Sequence, residues 1–86
     1  MTSLAKQAII VDLLTYINEE LYEDGTTVDV DDDLLLDIGM DSLSLMLMVG
    51  FIESQFELSI EPAQITITHF RSVDIISDFL LSLKSS

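Results

Sequence analysis

The sequence of 86 residues contains no cysteine and only three lysine or arginine residues. Without cysteine there is no disulfide framework, thiolate nucleophile or thiolate metal site, and an intracellular location is the simpler interpretation. Sixteen aspartate and glutamate residues leave a formal net charge of −13. This charge would repel a phosphate backbone or an anionic membrane surface, so we expect neither nucleic acid nor membrane among the partners.

Long apolar runs are also missing. The N-terminal run at residues 8–11 ends at Asp12, well short of the core of a signal peptide. No uninterrupted apolar stretch reaches the roughly 18 residues that a membrane span needs. We therefore expect a cytoplasmic protein and, at this length, a single domain over residues 1–86. Apolar residues make up 49% of the chain, which is enough for one packed core.

Apolar residues recur at helical spacing in three segments. A helix predicted from about residue 3 to residue 22 has an apolar face made of Ile10, Leu14, Ile17 and Leu21. A second helix, beginning at Asp41-Ser42, has a face made of Leu45, Val49, Ile52 and Phe56. A last helix, capped by Ser72 and with Asp74 in its first turn, has a face made of Val73, Ile76, Leu80 and Leu83.

Weaker signals lie between the last two of these helices. Pro62 favours the first position of a short additional helix reaching about residue 67. The β-branched stretch at residues 65–68 alternates weakly and could be extended. Because helical periodicity dominates, we predict an all-α fold, a small bundle of three longer helices plus one short helix, with a long loop between helices 1 and 2.

The long loop is predicted over residues 23–41, which include Gly25, a threonine pair, an acidic stretch and Gly39. Leu34, Leu35 and Ile38 are expected to fasten it to the core. A loop of this length in a small domain is usually functional.

The acidic stretch has part of the pattern of a calcium-binding loop. Asp29, Asp31 and Asp33 have the D-x-D-x-D spacing of an EF-hand. The next position requires Gly and the twelfth requires Glu, but Leu34 and Met40 stand there. An EF-hand is therefore excluded. A weak divalent-cation site and a solvated acidic face both remain open, and we assign no metal ligand.

A self-contained active site is not apparent. A serine nucleophile needs a base, and the single histidine, His69, has no orienting carboxylate beside it in the sequence. No pair of carboxylates lies in an apolar segment that would separate their pKa values. We therefore expect no catalytic residue and a function other than catalysis.

The segment at residues 37–43, Asp-Ile-Gly-Met-Asp-Ser-Leu, has two explanations. It could be only a capped helix start, because Asp is a strong N-cap and Ser tolerates the first turn. Alternatively, Ser42 is a modification site. In the first helical turn, unpaired N–H groups and the positive end of the helix dipole would stabilise an anion attached to its hydroxyl.

With these residues the chain resembles the acyl and peptidyl carrier proteins. The G-x-D-S-L string formed by Gly39, Asp41, Ser42 and Leu43 stands at the head of a helix after a long acidic loop, as in that family. The resemblance covers nearly the whole chain, and further matching positions are Glu20, Leu21, Leu34, Phe56, Ile60, Ser72 and Val73.

The resemblance implies a covalent shuttle. In this family the serine, here Ser42, receives a 4′-phosphopantetheine arm from coenzyme A through a phosphopantetheinyl transferase. The thiol of the arm then holds an acyl or aminoacyl group as a thioester. The resemblance gives Asp41 the task of engaging the transferase, and gives the second helix the recognition of partner enzymes. Those partners would be an adenylating ligase or an acyltransferase, and then condensing or tailoring enzymes, acting on a monomeric carrier.

The second helix departs from the pattern of carriers in primary fatty-acid synthesis, which present several carboxylates there. Its only charged residue is Glu53. Leu43, Met46, Leu47 and Gly50 form a second stripe beside Ser42. This stripe is either a contact surface or a face buried by the long loop.

We predict that partners recognise Asp41, Leu43, Met46, Leu47 and Glu53. The departure favours a discrete carrier in polyketide or nonribosomal-peptide biosynthesis. A general fatty-acid carrier, and an unmodified acidic interaction or cation-binding module, remain alternatives. The sequence does not indicate the cargo.

Overall fold

A computed structural model describes residues 2–22 and 27–84, so Gly25 and the threonine at 26 lie outside the described residues. Helix α1 spans Thr2–Tyr16 and continues as a π-helical turn over Ile17–Leu21. Helix α2 spans Ser42–Phe56, α3 spans Ile67–Phe70 and α4 spans Val73–Lys84, with a 3-10 turn at Pro62–Gln64. No strand occurs in the described ranges. The predicted all-α bundle of three longer helices and one short helix is confirmed.

The core lies where the three longer helices meet the loop and α3. Helix α1 packs against α4. The largest side chains with no exposed surface are Leu13, Ile17, Leu34, Met48, Ile52, Phe70, Ile76 and Leu80. Each long helix and the loop therefore contribute to one continuous cluster.

The inward face of α1 differs from the predicted one. Ile9, Leu13 and Ile17 are buried, whereas Ile10 and Leu14 are only partly buried. The prediction is confirmed for Ile17 and wrong for Ile10 and Leu14, because residues 8–11 and 13–14 are all apolar, so two neighbouring stripes fit helical spacing equally well. Helix α1 packs against α4 and buries the stripe that includes Leu13.

The other two faces agree better with the sequence. On α2, Val49 and Ile52 are buried as predicted. Leu45 and Phe56, which were predicted to face the core, are only partly buried. Met48, which was not predicted to face the core, is fully buried. On α4, the face predicted from the sequence is confirmed. Val73, Ile76 and Leu80 are buried, and Leu83 is partly buried. Ser72 caps α4 through its Oγ, which accepts a hydrogen bond from the Ile75 N–H at 3.2 Å.

The short helix begins later than predicted. Pro62 opens a single 3-10 turn, and α3 starts only at Ile67. The reason is local, because Glu61 and Gln64 satisfy each other in a capping box that closes the first turn. Thr66 is then extended, with φ −131° and ψ 165°, and the chain starts a new helix after it. The stretch at residues 65–68 is thus not a strand.

Leu34 and Met40 hold the long loop against the bundle. The Leu34 N–H donates to the Arg71 carbonyl at 2.7 Å, and the Met40 N–H donates to the Leu34 carbonyl at 2.8 Å. Both side chains are buried. Leu35 and Ile38 pack against the core from outside, as predicted.

Asp33 joins this loop to the start of α4. Its carboxylate accepts hydrogen bonds from the Leu35 and Leu36 N–H groups at 3.0 and 2.8 Å. It also pairs with the Arg71 Nε at 2.9 Å. The Leu36 amide and then the Arg71 guanidinium hold the pKa of Asp33 below its ordinary value. This member of the acidic stretch therefore has a structural task.

Two glycines, one in the long loop and one in α2, should respond in opposite directions to replacement by alanine. Gly39 has φ +75°, and Gly50 lies inside α2, with open space where either Cβ would stand. Gly39→Ala should lower the free energy of unfolding by about 1 kcal/mol, since a side chain disfavours the left-handed region. Gly50→Ala should raise it by about 0.5–1 kcal/mol. Urea unfolding of both variants checks the signs, and equal shifts in the same direction would contradict the local conformations.

Candidate functional site

Ser42 is the first residue of α2, and its side chain is exposed. The Asp41 carboxylate accepts a hydrogen bond from the Ser44 N–H at 2.8 Å. The Asp41 carbonyl accepts one from the Leu45 N–H at 2.9 Å. These two bonds fix the start of the helix, and the amides of its first two residues have no intrahelical acceptor. The Ser42 hydroxyl therefore stands at the positive end of α2, where an attached phosphate would be stabilised.

The loop sets the position of this helix start. Met40 is buried, and its N–H is bonded to Leu34. Gly39 makes the turn before it with a positive φ. Asp41 then follows with extended backbone, at φ −89° and ψ 178°. The buried side chain of Met40 thus points into the core while Asp41 and Ser42 come out into solvent.

Asp41 keeps a negative charge beside Ser42. Hydrogen bonds from Ser44, first from its backbone N–H, hold the pKa of Asp41 below its ordinary value. The carboxylate is exposed and ionised at neutral pH. A cationic group that approaches Ser42 therefore meets this charge.

An exposed apolar stripe runs along α2 beside Ser42. Leu43 is 69% exposed, Met46 is 55% exposed and Leu47 is 49% exposed. Gly50 on the same stripe is also exposed. The interpretation that the long loop buries this face is therefore wrong. The stripe lies open to solvent and available for contact.

Besides Val11 on α1, two further exposed apolar side chains were missed from the sequence. Leu36 is 77% exposed in the loop, and Ile67 is 64% exposed at the start of α3. The exposure of Leu36 could have been predicted from the three consecutive leucines at residues 34–36, because adjacent residues of a turn cannot all face the core. No signal indicated the exposure of Ile67, since the start of α3 was misplaced.

Glu53, the only charged residue of α2, has a structural contact. Its Oε2 accepts a hydrogen bond from the Ile60 N–H at 2.9 Å, and the residue is half-buried. The bond ties the end of α2 to the segment before the 3-10 turn. Recognition of partners by Glu53 stays a prediction.

In the described part of the chain, the histidine and the acidic residues considered as candidates are not brought together into one site. His69 stacks on Phe79, with ring centroids 4.2 Å apart, so it packs between α3 and α4. Within residues 2–22 and 27–84, no three His, Asp or Glu side chains are grouped to hold a metal ion. Among the same residues no helix has both the length and the apolar character to cross a bilayer.

Comparison with known proteins bears on the site directly. The family model described as the phosphopantetheine attachment site matches residues 11–80. A curated acyl carrier protein from Exiguobacterium sibiricum is 34% identical over 61 residues, which cover 71% of this chain and 77% of the relative. The matched range 11–80 contains the long loop, Ser42 and the whole of α2.

The Asp41 cap predicts a pH dependence of stability. A lowered folded-state pKa means that the carboxylate stabilises the fold above its unfolded pKa, near 3.8, and that this contribution disappears as the pH falls through the folded value. Asp41→Ala should therefore melt at a lower temperature than the wild type at pH 7. The difference should begin to shrink below about pH 4, where the carboxyl of the unfolded chain becomes protonated, and should be lost once the pH falls below the lowered folded-state pKa.

Asp41→Asn is the matched control, because asparagine caps a helix without a charge. We expect it to stay close to the wild type at pH 7 and to show less loss on acidification. Thermal unfolding from pH 2.5 to 7 measures both differences. A constant gap between Asp41→Ala and the wild type across this range would contradict the role of the ionised carboxylate.

Proposed function

The chain belongs to the phosphopantetheine-attachment family of carrier proteins, and we propose that Ser42 is the residue that carries the 4′-phosphopantetheine arm. The family binds this arm covalently, works with a phosphopantetheinyl transferase and partner enzymes, and is generally not catalytic. The observation that carries the proposal is the exposed Ser42 hydroxyl at the capped start of α2. When bound, the arm supplies a thiol, which a chain without cysteine lacks.

The residues around Ser42 suit this modification. The amides of Ser42 and Leu43, at the start of α2, would donate toward a phosphate oxygen. Asp41 supplies a charge that a basic transferase would meet on approach. We assign residues 1–86 to one carrier domain on this basis.

The pathway is proposed from the surface of α2. The stripe of Leu43, Met46 and Leu47 is exposed, and Glu53 is already bonded to the Ile60 amide. Partner enzymes would therefore dock mainly through apolar contact, where methionine adapts well to different surfaces. This supports a carrier loaded by an adenylating ligase or an acyltransferase and used by condensing or tailoring enzymes of polyketide or nonribosomal-peptide type. A general fatty-acid carrier is the second candidate, since the similar curated protein is named an acyl carrier protein.

Modification of Ser42 can be measured directly. Incubation with coenzyme A and a broad-specificity phosphopantetheinyl transferase should raise the intact mass by one phosphopantetheine group. Ser42→Ala should show no increase. Ser44→Ala, in the same helical turn, is the matched control and should still be modified. Modification of Ser42→Ala, or an unmodified wild type with several such transferases, would favour the unmodified acidic module instead.

Leu47→Glu separates the two pathways. Half of this side chain is already covered, so burying the rest against a partner is worth about 1 kcal/mol, and its loss should slow loading by the cognate ligase or acyltransferase about fivefold. The fold should be retained because the position lies outside the core. Leu47→Glu should be recognised better by fatty-acid synthase enzymes, whose own carriers present carboxylates on this helix.

Ser59→Glu adds the same charge at an exposed position beyond the end of α2 and outside the stripe, and should load almost normally with the cognate enzyme. Melting temperature and loading rate are measured for both variants with both enzyme sets. If Leu47→Glu folds and loads normally with the cognate enzyme, apolar docking is wrong and the fatty-acid carrier becomes the better proposal.

A further inference from the structure

A groove of about 410 Å³ opens between the end of α1 with its π turn and the second half of α2. Two stacked rings, Tyr16 and Phe51, line it, with centroids 4.1 Å apart and planes within 10° of parallel. The Tyr16 hydroxyl donates to the Leu47 carbonyl at 3.2 Å, which fixes the position of the ring. Burial and then the charge of Glu20 raise the pKa of Tyr16, so this hydroxyl remains a donor.

Three carboxylates surround the aromatic pair. Asp12 comes from α1, and Glu19 and Glu20 come from the π turn. Asp12 is half-buried and lies 3.5 Å from the Gln55 amide nitrogen, whereas both glutamates are exposed. The groove therefore combines the surface of two aromatic side chains with concentrated negative charge.

The cations of the chain are all engaged elsewhere. Lys6 Nζ lies 2.9 Å from carboxylate oxygens of both Asp74 and Asp78. Arg71 pairs with Asp33, and Lys84 donates to the Phe56 carbonyl at 3.4 Å. The sequence has only three Lys and Arg residues. In the part of the chain that the structure describes, none of them pairs with the carboxylates of the groove.

We propose that this groove docks an arginine side chain presented by a basic partner protein. A guanidinium group is planar, stacks on aromatic faces and can donate hydrogen bonds to two carboxylates at once, so it matches both features of the groove. The carboxylates disfavour an acyl chain, and a lysine would use the charge without the stacking.

The inference rests on the proposed function only in that a carrier works with partner enzymes. Phe51 and Gln55 lie in the second half of α2, and Phe51 is about 13 Å along the helix axis from Ser42. Nine residues also make two and a half turns, so Phe51 projects from the side of α2 opposite Ser42, and a partner enzyme that held both would contact two sides of the helix. The groove would then fix how the partner is oriented on the carrier.

Nuclear magnetic resonance titration of the full, isotope-labelled chain with N-acetyl-arginine amide tests the proposal. We expect saturable shifts at the rings of Tyr16 and Phe51 and at the Gln55 side-chain amide. N-acetyl-citrulline amide, which has nearly the same shape without the charge, should cause no such shifts, and N-acetyl-lysine amide should bind more weakly. Equal shifts with citrulline, or arginine shifts located elsewhere, would overturn the proposal.

A pair of double variants tests the carboxylates. Glu19→Gln with Glu20→Gln should weaken arginine binding about fivefold, the effect of two exposed charge contacts. Asp31→Asn with Glu57→Gln removes the same charge from exposed positions outside the groove and should change binding less than about twofold. If both double variants weakened arginine binding equally, the binding would be unspecific attraction to an acidic protein, and the proposal that the groove docks arginine would be wrong.

Repeating the titration on Ser42→Ala separates this inference from the carrier proposal. Unchanged arginine binding is expected there, because the groove does not include Ser42. Loss of arginine binding in Ser42→Ala alone would count against an independent groove. If phosphopantetheine transfer to the wild type failed, arginine binding to the groove would still be supported by the titration.

Discussion

The attachment of the long loop at Leu34 is the constraint on which the site depends. Its backbone is bonded on one side to the Arg71 carbonyl and on the other to the Met40 amide, and its side chain has no exposed surface. Because Met40 is held in this way, the start of α2 is fixed relative to the junction of α3 and α4. Ser42 is therefore presented by a rigid helix end although it follows a loop. A site on a loop positioned by a rigid scaffold is a common way to combine access with precision.

The few cations of the chain reinforce the same arrangement. Lys6 connects α1 to α4, Arg71 connects the start of α4 to the loop, and Lys84 connects the end of α4 to the end of α2. Each such contact joins segments that are distant in sequence. The chain as a whole still has a formal net charge of −13. Positively charged proteins would be attracted to this charge over distances that fall with rising salt.

Local signals in the sequence predicted the start of α2 better than they predicted the packing around it. Asp41 and Ser42 could be placed because a cap and a first turn are determined by neighbouring residues. The inward stripe of α1 could not be placed, since its apolar residues fit two faces and only packing with the rest of the bundle decides between them. The groove was also beyond sequence reasoning, because Tyr16 and Phe51 meet only after α1 and α2 pack. The contact of Glu53 with the Ile60 amide has the same origin.

The stacked pair also gives the chain an optical property. The sequence has no tryptophan and only two tyrosines, so Tyr16 supplies a large share of its near-ultraviolet absorption. This ring is held against Phe51 across the seam between α1 and α2, and its hydroxyl is bonded to the backbone of the helix that begins with Ser42. Separation of the two helices would change the asymmetric surroundings of the chromophore. The unlabelled chain thus contains an intrinsic circular-dichroism reporter of the seam between α1 and α2.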